Sequence, residues 1–379
     1  MNQQTPTPNE HRNTGMEVMS QWRLILRRFL RHRLAVISTL FLIFIYSVAI
    51  FAEPLAVNPP NQRNLDHVYC PPQLLLISTQ HGLYTYGYEQ QIDPVTFRKS
   101  YLLREDVIVP VRLLGRGAPY KLWGLIPLER HLLTVSAESK DADHHELMTY
   151  YPLGTDELGR CILSRAVYGA RVSLSVGIIG IGCTFVFGIV IGSISGYLGG
   201  RADNLIQRSI EIINSFPHLP LWIALAALLP PEWSALKIYF AITVLLSLLN
   251  WTGLARVVRG KILSLREEDY AVAARLLGAS HTRVLFLHLL PGFTSHIIVA
   301  LTLAAPAMIL GETSLSFLGL GLRPPIVSWG VMLQDCLDVK AVRFYPWLLM
   351  PVVFIITTVL SFNFLGDGLR DAADPYEGR

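Results

Sequence analysis

Long apolar runs constrain this chain most strongly, because each is long enough to cross the ~30 Å hydrocarbon core of a bilayer. The first run occupies 34–54 and is followed by others at 172–195, 209–229, 238–255, 294–319 and 344–365. The third is the weakest, since Glu211, Asn214 and Pro217 interrupt it. Only 16% of the residues are charged, whereas soluble domains contain about a quarter. The sequence therefore predicts an all-α membrane protein with six spanning helices.

Basic residues orient these six helices. They are concentrated in 1–33 and 256–293, and a short loop at about 197–208 carries Arg201 and Arg208. Such residues are enriched in cytoplasmic loops, so six spans place both the N-terminal segment and the C-terminal tail, 372–379, in the cytoplasm. We interpret the first run as a retained span, because it is longer than the core of a signal peptide.

The segment 55–152 is too long for a simple connection between the first two spans. Leu74–Ser78, Leu83–Tyr86 and Val107–Leu113 have the composition of strands, and Val107, Val109 and Val111 alternate along the third. We predict a small, mostly β lobe within about 58–150, on the side opposite to the termini.

Two features outside the spanning segments suggest further chemistry. A cluster of possible metal ligands is interpreted as a solvated loop, because one loop rarely supplies a complete site; it comprises Asp141, Asp143, His144, His145 and Glu146. A disulfide among Cys70, Cys161 and Cys336 remains open, since it requires that they share an oxidising compartment.

The segment Arg266–Pro291, between the fourth and fifth spans, is too polar to cross the membrane and too apolar for a plain linker. Its alanines favour a helix, Gly278 ends that helix or allows a close approach, and Pro291 ends a second helix. We predict a helix–bend–helix elbow whose shape suits docking into a groove of another protein. On the second span, Gly188, Gly192 and Gly196 predict close helix packing.

The spacing of Ala273-Ala274, Gly278 and Leu290-Pro291 resembles the loop shared by permease subunits of ATP-binding-cassette (ABC) importers. Val272 and His288 depart from that pattern, where the family often has glutamate and an aliphatic residue. Four further stretches are similar, in order, to the oligopeptide, dipeptide and nickel branch, and most of all to its second permease; they are 153–160, 195–200, 312–319 and 364–371. The enlarged insert resembles that of members handling larger peptides.

This resemblance implies a type I importer fold in the bacterial inner membrane, with a five-helix core at 153–371 and a coupling loop at 256–293. It implies a heterodimer with a second permease, two ATPase subunits or domains, and a periplasmic substrate-binding protein. Contact with the ATPase is expected at Tyr270, Ala273, Ala274, Arg275, Gly278, Ala279, Arg283 and Pro291. The alternative for Arg275 and Arg283 is simple flanking of the membrane by positive charge.

ATP hydrolysis is not expected in this chain. The sequence has no Gly-x4-Gly-Lys-Ser/Thr phosphate-binding loop, and no Ser-His-Asp or Cys-His arrangement can be placed on one surface. We therefore predict a transport subunit without a cofactor of its own, whose partners bind ATP and Mg²⁺.

Two sets of residues are candidates for other roles. A possible translocation path comprises Asn214, Phe216, Pro217, Glu312 and Ser314. Glu312 could instead pair with the second permease or face water at the interface, and Pro217 could simply kink its helix. An interfacial motif on the outer surface comprises Thr155, Asp156, Gly159 and Arg160. There Thr155 or Asp156 is suited to cap a helix, which is a structural role.

Three alternatives to a peptide importer remain. A proton-coupled secondary transporter would need repeats and paired intramembrane carboxylates or histidines, whereas Glu312 is nearly alone. A membrane-anchored sensor would not need the elbow. Within the importer class, nickel or another small solute is the alternative substrate.

Overall fold

The computed structural model describes residues 21–95, 99–135 and 149–373. Its helices are α1 Gln21–Phe29, α2 Arg33–Ile50, α3 Ala52–Leu55, α4 Ile162–Leu198, α5 Gly200–Ser215, α6 His218–Ala226, α7 Ala235–Leu265, α8 Asp269–Leu276, α9 His281–Arg283, α10 Thr294–Phe317, α11 Trp329–Met332, α12 Val339–Phe344 and α13 Met350–Ala373. Its strands are β1 Leu76–Ser78, β2 Gly82–Ile92, β3 Lys99–Leu113, β4 Arg116–Leu122, β5 Ile126–Arg130 and β6 Leu133–Val135.

In this described part, 5 helical stretches are long and apolar enough to cross a membrane: Arg33–Ile50, Ile162–Leu198, Ala235–Leu265, His281–Phe317 and Pro346–Ala373. The predicted third span is divided, because α5 ends at Ser215 and α6 begins at His218. Phe216, which precedes Pro217, has an extended backbone with φ −89° and ψ 138°, as proline requires of the residue before it. The predicted kink is therefore a complete break.

The loop predicted at about 197–208 is also different in the structure. α5 begins immediately after Gly199, so Arg201 and Arg208 lie on a helix.

The glycines of α4 fix its packing against α7. A Cβ added at Gly192 would lie 2.6 Å from the Ala255 carbonyl oxygen, and one at Gly196 would lie 2.9 Å from that of Arg259. The predicted close packing is confirmed. Successive glycines of α4 contact successively later residues of α7. The two helices are therefore parallel.

Two parallel helices require the chain to return between them, and the α5–α6 pair makes this return. Asp203 of α5 pairs with Arg259 near the end of α7, whereas Ala226 of α6 packs in one cluster with Ile238 near its start. Later residues of the α5–α6 pair therefore lie beside earlier residues of α7, so the pair is antiparallel to α7 along its length. The broken pair is therefore the third crossing, which accounts for the predicted count of six.

The other spans pack as antiparallel neighbours. α10 lies along α4, where Ser173 contacts Glu312 and Gly177 faces Ile309. α2 lies along α13, where Nε2 of His32 is 3.8 Å from the Asp371 carboxylate. The start of α2 and the end of α13 are consequently on one side of the bundle.

The insert between the first two spans is rich in β structure, as predicted. Four antiparallel strands have the order β1-β2-β3-β6, and β4 pairs separately with β5. Val107, Val109 and Val111 are buried and alternate with more exposed neighbours along β3, as their spacing indicates. Within the described residues, the strands lie between 76 and 135, inside the predicted lobe.

All 4 cysteines lie in the described ranges and are free thiols, so the disulfide left open by the sequence is not formed. The possible metal ligands from Asp141 to Glu146 lie outside the described residues. Within 21–95, 99–135 and 149–373 no group of three or more potential ligands could hold a metal ion.

Candidate functional site: the elbow between α7 and α10

A sharp bend separates two short helices in the elbow, which we define as residues 266–291. α8 ends at Leu276, and Gly278 follows with φ +84°, a left-handed conformation that favours glycine. α9 begins at His281, and the Ser280 hydroxyl accepts a hydrogen bond from the Arg283 N–H at 3.4 Å. The helix and the bend follow from these local preferences, as predicted. The predicted end of the second helix at Pro291 is wrong, because helical structure continues from His281 to Phe317.

One face of the elbow is buried against the spanning helices. Ala271, Val284 and Leu289 have no exposed surface, and they share a cluster with Ile262 of α7 and Ile297 of α10. This apolar contact holds the elbow as a continuation of the bundle.

Hydrogen bonds attach the same segment to the end of α4. Nη1 of Arg266 donates to the carbonyl oxygens of Gly196 and Tyr197 at 3.1 and 3.3 Å. The Tyr197 hydroxyl lies 3.0 Å from Nδ1 of His281. The elbow is thus joined to α4, α7 and α10 together.

The opposite face of the elbow is open. Leu276 and Leu277 are 83% and 87% exposed, and Tyr270 is also exposed. Single exposed leucines are ordinary on protein surfaces. These two leucines, however, are adjacent, and they lie beside the bend of a segment whose opposite face packs against the spanning helices. We did not predict either leucine as a contact residue, although a Leu-Leu pair next to Gly278 in a polar segment was the available signal.

The other predicted contact residues lie on or near this open face. Ala273, Arg275, Arg283 and Pro291 are exposed, and Ala274 and Ala279 are half-buried. Nη2 of Arg275 donates to the Arg266 carbonyl oxygen at 2.8 Å, an interaction that the sequence did not indicate.

The predicted translocation-path residues lie at two places in the described structure, the α5–α6 break and α10, and their role in a path stays a prediction. Phe216 and Pro217 are exposed at the break between α5 and α6, where Oδ1 of Asn214 accepts from the Thr252 hydroxyl at 3.2 Å. On α10 the Ser314 hydroxyl bonds to a carbonyl oxygen of its own helix.

Glu312 requires a correction, because its side chain has no exposed surface. Its carboxylate accepts hydrogen bonds from the hydroxyls of Ser328, Ser316 and Ser173 at 2.7, 2.8 and 3.1 Å. Burial of a polar group is tolerated when the group is hydrogen-bonded. Within the part of the chain that the structure describes, Glu312 faces neither water nor an open path and instead joins α10 to α4.

The interfacial motif also differs from its predicted form. The N-cap of α4 is Cys161 and makes no side-chain capping bond, so neither Thr155 nor Asp156 caps that helix. Thr155 instead accepts from the Cys70 N–H at 2.7 Å. Gly159 has φ +69°, and a Cβ there would lie 1.7 Å from the Asn64 carbonyl oxygen, so this position needs glycine.

Asp156 is the centre of a buried charge cluster at this end of the bundle. It accepts from Nε of Arg160 at 2.7 Å and pairs with Arg165, while Asp335 lies 3.7 Å from Arg165. Burial, together with the nearby Asp156 carboxylate, raises the pKa of Asp335 to about 7. The motif belongs to this charge cluster and does not form the predicted helix cap, and Arg165 and Asp335 were missed.

Comparison with known proteins identifies two matching families. The family described as "Binding-protein-dependent transport system inner membrane component" matches residues 188–376, which contain the elbow. The family described as "N-terminal TM domain of oligopeptide transport permease C" matches residues 20–72. The six strands lie between these two matches.

Individual relatives agree with these families. The chain is 40% identical over 246 residues to the dipeptide transport system permease protein DppC of Bacillus subtilis, covering 65% of this chain and 73% of the relative. It is 41% identical over 223 residues to the oligopeptide transport system permease protein OppC of Escherichia coli K12, covering 59% and 71%. Among solved structures, the inward-facing MetNI methionine ABC transporter matches with 17% identity and a TM-score of 0.41, covering 55% and 95%.

Proposed function

This chain belongs to the permease family of binding-protein-dependent ABC importers, in its oligopeptide and dipeptide branch, and from that premise we propose that it carries peptides through the bacterial inner membrane. It is a transport subunit and not an enzyme. The type I permease fold with a β-rich insert, predicted from the sequence, is confirmed by family membership and is consistent with the 5 candidate spans of the described residues. Family membership does not favour a secondary transporter.

The docking proposal depends on the exposed Leu276–Leu277 pair, which lies on an elbow whose opposite face packs against α7 and α10. Burying a leucine side chain contributes about 1.5–3 kcal/mol, so the pair provides a strong contact for a partner groove. The ATPase subunit is the partner that this family requires on the side of the elbow. ATP and Mg²⁺ bind to that subunit in our proposal.

The attachment of the elbow provides a route for force. When ATP closes the two ATPase subunits, each elbow moves with its subunit, and α4, α7 and α10 move with the elbow because apolar packing and Arg266 join them. Rocking of these helices against a second permease opens the cavity between the two subunits towards a periplasmic binding protein. Hydrolysis then resets the assembly.

The arrangement of the helix ends supports cytoplasmic termini. Antiparallel packing places the start of α2 and the end of α13 together, next to the basic segment 23–33. The elbow adds Arg275 and Arg283 on its exposed surface. Positive charge is enriched on the cytoplasmic side, and the lobe between α2 and α4 then lies in the periplasm.

Gly278→Asp tests the docking proposal, and Gly82→Asp is a matched control. Both glycines have positive φ, +84° and +68°, and a Cβ at either position meets no atom within 4 Å. Both substitutions therefore introduce similar backbone strain, but only Gly278 lies in the elbow.

We expect Gly278→Asp to abolish peptide-stimulated ATP hydrolysis by the assembly in proteoliposomes while the chain still inserts. Gly82→Asp should retain hydrolysis. Normal peptide uptake by the Gly278 variant would contradict the docking role. Parallel uptake assays with peptides and with Ni²⁺ test the substrate separately.

A further inference from the structure

The β4–β5 hairpin, residues 116–130, stands apart from the four-stranded sheet. All five residues of β5 are exposed, so the strand is covered on neither face. A two-stranded hairpin is at best marginally stable in water by itself. Within the described residues the hairpin is held mainly at His131 and Trp123, which leaves β5 free to meet a further surface.

The tip of the hairpin is fixed to the end of a spanning helix. Nε1 of Trp123 donates to the carbonyl oxygen of Ile50, the last residue of α2, at 2.9 Å. The Trp123 N–H donates to Glu53 at 3.2 Å, and its ring centroid lies 6.0 Å from that of Phe51. Trp123 is thus placed where the hydrocarbon ends, a depth at which tryptophan is enriched.

Apolar surface continues from the spanning helices onto the hairpin. A cavity of about 290 Å³ opens between α2 and α4 beneath Trp123, and it is lined largely by apolar side chains that include Tyr46, Leu174 and Ile178. Beyond Trp123, Leu125 is 79% exposed and Ile126 is also exposed. Apolar side chains of α2 and α4 therefore adjoin the hairpin tip, with Arg171 and Ser175 as the polar members of the cavity lining.

Charge on the hairpin complements phospholipid headgroups. Arg116, Lys121 and Arg130 are exposed, and the acidic residue within 116–130 is Glu129. The hairpin therefore carries a net positive charge. Cations next to exposed apolar and aromatic side chains are typical of segments that lie in the membrane interface. Continuity with a spanning helix favours lipid over a protein partner as the covering surface.

We propose that the hairpin is a membrane-interface anchor of the β lobe. Leu125 and Ile126 enter the upper acyl chains of the leaflet on the lobe side, and Arg116, Lys121 and Arg130 contact lipid phosphates. The anchor holds the lobe against the bilayer beside α2 and α4. It concerns a part of the chain outside both family matches and does not depend on coupling to the ATPase.

The test places a spin label at Leu125→Cys in the complete assembly, reconstituted in nanodiscs of phosphatidylethanolamine and phosphatidylglycerol. Cys183→Ala and Cys336→Ser remove the two partly accessible native thiols. The control label is at Ile77→Cys on β1, which is 82% exposed and pairs with Leu83 in the sheet. Collision rates with oxygen and with a water-soluble nickel chelate report lipid and water, respectively.

We expect the label at 125 to collide more with oxygen than with the chelate, and the label at 77 to show the reverse. Chelate access at 125 equal to that at 77 would place the hairpin in water and overturn the proposal. Exclusion of both reagents at 125 would show a protein partner on the hairpin and would overturn it equally.

Discussion

Leu277→Ala separates docking of the elbow from its folding. Because this leucine is 87% exposed, its truncation removes little packing within the chain. Leucine and alanine differ by three carbons, so complete burial against a partner is worth about 2.4 kcal/mol at about 0.8 kcal/mol per carbon. Scaling by the exposed fraction gives a loss of about 2 kcal/mol, and at 1.4 kcal/mol per tenfold change this is about 30-fold in Kd.

The assay is equilibrium binding of the ATPase subunit to the permease in nanodiscs. Leu74→Ala is the matched control, since Leu74 is 78% exposed but lies in the insert just before β1, far from the elbow in sequence. We expect Kd to rise about 30-fold for the elbow variant and to be unchanged for the control, with similar thermal unfolding for both. Equal Kd values for the two variants would refute docking through this leucine.

Three further predictions concern the outer half of the bundle. Gly159→Ala should lower Tm, because its Cβ would clash with the Asn64 carbonyl oxygen, whereas Gly182→Ala, which meets no atom within 4 Å, should not. Glu312→Ala should lower stability in detergent melts, since each buried hydroxyl left unpaired costs about 1–3 kcal/mol; an unchanged Tm would contradict its structural role. The pKa of Asp335 is raised from 3.8 to about 7, so the stability associated with its protonated form is complete below about pH 4 and is lost as pH rises through about 7. Asp335→Asn should abolish this decline in melts between pH 5 and pH 8, and a persistent decline would exclude Asp335 as its source.

The spans and the elbow could be predicted because their determinants are local. Hydrophobic length defines a crossing, proline at 217 breaks one, and alternating valines identify β3. The left-handed bend at Gly278 is likewise determined by a few neighbouring residues. Even the division of the third span was indicated by Pro217, although the extent of the break and the helical connection from α4 were not.

The sites could not be predicted where their partners are distant in sequence. Glu312 is satisfied by Ser173 and Ser328, and nothing near Glu312 in the sequence indicates that these hydroxyls meet it. The sequence around Asp156 predicts a helix cap. The structure instead places Arg165 and Asp335 in a charge cluster with Asp156. Such positions depend on how helices pack, which hydrophobic periodicity does not specify.

Photo-crosslinking from the elbow in native membranes is the most direct test of ATPase docking. A benzophenone amino acid at Leu276, which is 83% exposed, should form an adduct between this chain and a nucleotide-hydrolysing subunit. The yield should change when ATP closes that subunit. Adducts with lipid alone, or none in membranes that transport peptide normally, would contradict docking at the elbow.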